Sequence, residues 1–183
     1  MSRIPAVDPA EAPAASKPLL DAVHASLGIT PNLFRVTAHS PETLEGLLGL
    51  NGALSRGRLN AAEREAIALG VAEANACDYC LSAHTVLGGG AGLSEIEINA
   101  ARRAEAADPR LAAILQFARA VVLKRGHVSD ADVTLLRGAS ISDAELLEIV
   151  GNTVLNILTN YINNAVETEI DFPRVRAEVE KAA

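Results

Sequence analysis

Helix-start signals recur along this chain and leave little room for any other kind of element. Asn60-Ala-Ala-Glu63 has the form of a capping box, in which the cap side chain and the glutamate three residues on satisfy each other's backbone N–H groups. Ser94-Glu-Ile-Glu97 and Ser142-Asp-Ala-Glu145 repeat the pattern. Ser40-Pro41-Glu42 and Asp108-Pro109 each set a proline at the first helical position behind a capping residue. Gly28, Gly57 and the run Gly88-Gly-Gly90 punctuate the other ends. These signals predict helices over 16–27, 31–38, 41–55 and 61–74, then a short helix ending at 88–90. Further helices follow from Ser94, over 109–125, 130–137 and 142–168, with a terminal one starting at Pro173. No run alternates apolar and polar residues as a half-buried strand does. The fold class is therefore all-α. Residues 1–17, rich in Pro and Ala, form an arm, disordered or docked on a neighbouring subunit, and 18–183 form one helical domain.

Composition narrows the function. Apolar residues are 49% of the chain but aromatics only 3%, so the core is built from Ala, Leu, Val and Ile. Ala and Leu are strong helix formers, and small side chains let helices approach closely. The net charge of -7 offers no basic patch for phosphates, so nucleic acid is not an expected partner. The N-terminus lacks the apolar core of a secretory signal, and no apolar run is long enough to span a bilayer. The expectation is a cytoplasmic protein with no membrane partner.

A shift of 82 residues lays Ala62-Glu63 on Ala144-Glu145, Ile67 on Ile149, Tyr79 on Tyr161 and Ala83 on Ala165. The alignment suggests two degenerate helical repeats, the second without thiols; chance similarity between two Ala/Leu-rich helices is the competing explanation.

Both cysteines of the chain lie in Cys77-Asp78-Tyr79-Cys80, with His84 four residues further on and Glu65 twelve residues upstream of Cys77. In a reducing compartment such a pair points to catalysis or metal binding rather than to a structural staple. The thiolate is the reactive form, and a free cysteine is only a few per cent thiolate at neutral pH. Cys80 and His84 stand at i and i+4, so the imidazole can take the Cys80 proton or stabilise its anion. A helix N-terminus near Asp78 favours an anion on Cys77 instead. The neighbouring base argues for Cys80 as nucleophile and Cys77 as resolving thiol. Attack on a peroxide would give a sulfenic acid on Cys80, which Cys77 converts to a disulfide. Glu65 would orient and relay protons to His84, but one unbroken helix would hold it about 18 Å from Cys77. The chain must turn near Asn75 for Glu65 to join, and Glu63 and Glu73 are rival carboxylates.

The segments Arg64-Glu65-Ala-Ile-Ala-Leu69 and Asn75-Ala-Cys77-Asp-Tyr79-Cys80-Leu-Ser-Ala-His84-Thr resemble the AhpD-like alkylhydroperoxidase branch of the carboxymuconolactone decarboxylase family. Asn156-Ile-Leu-Thr-Asn160-Tyr-Ile-Asn-Asn164 and Glu167-Thr-Glu-Ile-Asp171-Phe-Pro173 look like its peroxidase-related members. The resemblance implies a helical bundle assembling as trimers or hexamers, without a cofactor or metal. It also implies a hydroperoxide substrate and a thiol reductant, either a lipoyl or thioredoxin-like protein or a small thiol. By the same resemblance Cys80 is the peroxidatic thiol, Cys77 the resolving thiol, and His84 with Glu65 the proton relay. The best-known members carry another His between the cysteines, where this chain has Tyr79, a poor base at neutral pH.

Four other expectations stand beside this one. The cysteines, His84 and Glu65 could ligate zinc, or the thiols could be inert core residues. Asn156, Asn160, Asn163 and Asn164 share a helix face and suit a hydrogen-bonded interior stripe, a polar subunit interface or the rim of the site. Glu167, Glu169 and Asp171 read as a solvated end.

Overall fold

The helix caps form as the spacing requires. In the computed structural model, which describes residues 2–179, the elements are a 3-10 turn, Pro9–Glu11, and nine α-helices. These are α1 Lys17–Leu27, α2 Asn32–Thr37, α3 Pro41–Leu54, α4 Ala61–Ala74, α5 Asp78–Gly90, α6 Glu95–Arg102, α7 Pro109–Leu123, α8 Asp130–Gly138 and α9 Asp143–Val166. No strand occurs among the described residues, and none of their helices is long and apolar enough to cross a membrane. Asn60 and Glu63 close a reciprocal box on α4, with both hydrogen bonds 2.9 Å. Ser94 with Glu97 and Ser142 with Glu145 do the same on α6 and α9. Ser129 and Asp132 form a further box on α8 that the sequence reading did not anticipate.

Helix α4 runs through the middle of the bundle, against α5, α6, α7 and α9. Its residues from Ala66 to Ala72 are all buried and apolar, as expected of a central helix. Gly70 allows the close approach of α6: a Cβ there would meet the Ala101 carbonyl oxygen at 3.1 Å. Phe117 of α7, Leu81 of α5 and Ile149 of α9 fill the space around it.

Two expectations give way to tertiary contacts. The arm packs on its own chain: Arg35 Nε donates to the Val7 carbonyl at 2.9 Å, His39 Nε2 lies 2.9 Å from the Pro5 carbonyl, and Ala12 is buried with Leu20, Ala38 and Leu44. The terminal helix expected from Pro173 does not form across 173–179. The backbone N–H groups there go to side chains of the bundle instead. Val175 donates to Ser82 Oγ at 2.9 Å, Ala177 to Asp78 Oδ1 at 3.0 Å, and Glu178 to Glu73 Oε1 at 2.6 Å. The segment is an extended strap across α4 and α5.

The internal similarity holds for one helix start. Arg110 of α7 bonds to both box glutamates, Glu63 at 3.2 Å and Glu145 at 2.6 Å. Beyond residue 74 the two segments part, because α4 ends in a turn whereas α9 continues unbroken to Val166.

Candidate active site

The turn that Glu65 needs is present at Asn75-Ala76. Ala76 takes a left-handed conformation at φ 49. Its N–H bonds to the Glu73 carbonyl and that of Cys77 to the Ala72 carbonyl, the paired closure that usually employs glycine. Helix α9 clamps this turn from outside. Asn75 Nδ2 donates to Asn160 Oδ1 at 2.9 Å, and Asn164 Nδ2 donates to the Asn75 carbonyl at 3.0 Å. After the turn α5 runs back along α4, which brings Glu65 level with His84. Glu65 Oε2 and His84 Nδ1 are 2.7 Å apart, and both side chains are about one-fifth exposed. Glu63 is engaged in its cap and Glu73 binds Arg102 and the strap, so the rival carboxylates are spoken for.

Cys77 is the N-cap of α5, and its sulfur accepts the Cys80 N–H at 3.5 Å. Both sulfur-bearing residues are buried, Cys77 at 0% and Cys80 at 2% exposure. Cys80 nevertheless lines a cavity of about 370 Å³ that it shares with Glu65 and His84. Leu33, Phe34, Leu47, Val86 and Leu155 make much of its wall apolar, and Asn156 and Thr159 add polar groups. Cys77 does not line this cavity.

The electrostatics separate the two thiols. Burial works against a charge on Cys80, but the hydrogen bond from Cys77, the positive field of His84 and the amides of Asn163 and Asn160 outweigh it and bring its pKa down to about 7. Asn163 Nδ2 donates to Cys80 Sγ at 3.2 Å. Cys77 moves the opposite way, because its bond to Cys80, reinforced by burial, holds it as a thiol. For His84 burial opposes protonation, but the Glu65 carboxylate and then the Cys80 sulfur raise its pKa above the ordinary value. A proton on Nδ1 is donated to Glu65, which leaves Nε2 for the cavity.

Tyr79 takes no part in this relay. Its buried hydroxyl donates to Asp171 Oδ1 at 2.8 Å and accepts the Leu33 N–H at 3.0 Å, and its ring meets Phe172 edge-on at 5.9 Å. Burial above all raises its pKa, so it stays a neutral phenol. Asp171 also accepts the Asn32 N–H at 2.8 Å, so it is a structural anchor where a solvated end was expected. Of the asparagine face, Asn156, Asn160 and Asn163 are interior and Asn164 is exposed: Asn156 bonds back to its own helix, as does the buried Asn152 one turn earlier, while Asn160 and Asn164 face the turn and Asn163 the thiol. Their spacing was visible in the sequence, but their target, 83 residues away, was not. The zinc reading loses its ligand set, since no three His, Cys, Asp or Glu side chains among the described residues are arranged to hold an ion. His84 Nδ1 is engaged with Glu65, and Cys77 faces the α5 backbone.

The carboxymuconolactone decarboxylase family model matches residues 41–123, which include α4, the turn and α5. Among solved structures, an alkylhydroperoxidase AhpD core described as a peroxidase-related protein from Ralstonia eutropha JMP134 is 26% identical. It covers 93% of this chain and 92% of its own, with a TM-score of 0.84. A peroxidase-related protein from Silicibacter sp. TM1040 is 23% identical over 92% of this chain and 91% of that one, with a TM-score of 0.79. The debrominase Bmp8 in complex with 2,3,4-tribromopyrrole shares the fold at 19% identity, over 93% of this chain and 92% of its own, with a TM-score of 0.79. No curated protein matches the chain.

Proposed function

Because this chain belongs to the AhpD-like carboxymuconolactone decarboxylase family, we propose that it is a thiol-dependent peroxidase that reduces organic hydroperoxides. The observation that carries this reading is Cys80 on the wall of an apolar cavity shared with the Glu65–His84 pair. With a pKa of about 7, a large fraction of Cys80 is thiolate at neutral pH. The thiolate attacks the terminal peroxide oxygen, forming an S–O bond and breaking the O–O bond. His84, protonated and held through Nδ1 by Glu65, gives its Nε2 proton to the departing alkoxide. The Cys77 thiol, one helical turn away, then displaces the hydroxyl of the Cys80 sulfenic acid. Its proton leaves with that hydroxyl as water, and a Cys77–Cys80 disulfide remains. One hydroperoxide thus becomes an alcohol and water while two thiols are oxidised.

The cycle needs a thiol reductant. A self-assembled trimer or hexamer is the form we assign, supported by an apolar stripe on the outer face of α9. Leu147, Val154, Leu158 and Tyr161 are all exposed there at heptad-like spacing. Tyr161→Lys should lower the mass seen by light scattering; an unchanged mass counts against the stripe as the interface.

Mass spectrometry after one equivalent of cumene hydroperoxide tests the reaction. The Cys77–Cys80 disulfide should form, Cys77→Ser should stop at a Cys80 sulfenic acid, and Cys80→Ser should consume no peroxide. Peroxide consumption by Cys80→Ser would end the assignment.

A further inference from the structure

A second cavity adjoins the first at Tyr79 and Phe172. It is an open cleft of about 880 Å³ between the Asn75-Ala76 turn, the C-terminal end of α9 and residues 167–174. Tyr79 and Phe172 line both spaces and form the wall between them. Cys80 belongs to the apolar cavity, whereas the residues flanking Cys77, namely Ala76 and Asp78, belong to the cleft. Asn163 forms part of the cleft lining, and its Nδ2 sits 3.2 Å from Cys80 Sγ. Two buried polar atoms on residues lining the cleft have no partner among the described residues, Asn163 Oδ1 and Thr168 Oγ1. Both can accept a hydrogen bond, and a buried acceptor without a donor is costly, so each is an unfilled demand for an N–H group.

We propose that this cleft receives the reductant, a dithiol carried on a peptide chain, and that its thiolate attacks Cys77 of the disulfide. The proposal rests on the redox-active pair described above. Displacement at a disulfide sulfur is in line, so an attacker on Cys77 approaches from the side away from Cys80; Cys77 lines neither cavity, but its two chain neighbours, Ala76 and Asp78, line the cleft. The lower-pKa thiol is the better leaving group, which favours release of Cys80. A bond forms between the reductant sulfur and Cys77 as the Cys77–Cys80 bond breaks, and Cys80 departs as thiolate. The second reductant thiolate then attacks the first, expelling Cys77, which takes up a proton, and the reductant leaves as a disulfide. The volume suits a peptide segment, and its backbone supplies the N–H donors that the two acceptors lack. Cys77 is covered, so access requires the Asn75-Ala76 turn to yield; it is the strained part of this wall, with alanine in the left-handed region.

The test begins from protein oxidised with diamide, so that it does not depend on the peroxide. A reduced CxxC peptide is the dithiol, dithiothreitol the comparison without amides, and a cysteine-containing peptide amide the trap. The mixed disulfide, mapped after alkylation, should sit on Cys77. Glu169→Trp, which fills the cleft, should slow reduction by the dithiol peptide at least tenfold relative to Leu123→Trp on the far surface of α7. Thr168→Val should slow the peptide and leave dithiothreitol unaffected. A mixed disulfide on Cys80, or equal rates for Glu169→Trp and Leu123→Trp, overturns the proposal. A disulfide that diamide forms but hydroperoxide does not would overturn the peroxidase reading and leave the cleft standing; a pair that diamide cannot close ends both.

Discussion

Helices α4 and α9 begin alike and finish differently. Each opens on a capping box, and Arg110 ties the two boxes together. In the 82-residue alignment, Asn75 and Ala76 of the turn face Ile157 and Leu158 inside α9, which runs straight on. The turned segment gains an acid–imidazole pair because folding back sets His84 against Glu65. The straight segment cannot make such a pair with itself. It contributes neutral amides across the gap, to the turn from Asn160 and Asn164 and to the Cys80 sulfur from Asn163. In the proposed mechanism the ion pair of the turned segment and the uncharged amides of its counterpart act together to favour the Cys80 thiolate.

The comparison breaks most deeply at the relay. Glu65→Gln removes the carboxylate that raises the His84 pKa, so less imidazolium faces Cys80 and the Cys80 pKa rises. Peroxide reduction at pH 7 should fall about a hundredfold, with the alkaline limb of the pH profile moving to lower pH as His84 loses its proton sooner. In the unaltered chain the rate should rise through about pH 7, where Cys80 ionises, and decline at the pH where His84 deprotonates. A profile that keeps its shape in Glu65→Gln would mean that Glu65 does not act through His84.

The amide side should give a smaller effect. Asn163→Leu deletes a donor to the sulfur in a buried setting, and the thiolate absorbance titration of Cys80 should move up by about one pH unit, from about 7. The rate at pH 7 should drop by about fivefold, following the thiolate fraction, and recover as the pH rises towards the limb set by His84. A titration unmoved by this change would leave the α9 asparagines as clamps of the turn alone.

How much of this could be read from the chain depends on reach. Caps are written within four residues, so α3, α4, α6, α7 and α9 were legible at their starts. The need for a turn at Asn75 followed from helix length, because only a reversal could bring Glu65 to His84. The partners of Tyr79 and Cys80 were illegible for a physical reason. Asp171 and Asn163 lie 92 and 83 residues away, and only packing decides which polar side chain meets which. The helix expected at Pro173 failed for the same cause: Ser82, Asp78 and Glu73 outcompete local bonds for its backbone donors.

The smallest expected effect concerns the turn itself. Ala76 occupies a left-handed position that glycine adopts without strain, so Ala76→Gly should stabilise the folded chain by up to about 1 kcal/mol in urea unfolding. A loss of stability would show that the Ala76 methyl packs usefully in its buried site.

The strap across α5 also sets an order of events. During synthesis Tyr79 emerges long before Asp171, and Ser82 long before Val175, so these two bonds wait for the end of the chain. Until then the thiol helix lacks the Asp171 carboxylate that reinforces its contact with α2 and the extended segment that covers it. The surroundings of the thiol pair are therefore finished late in the life of each new chain, and the helix that carries it is less covered in the interval before.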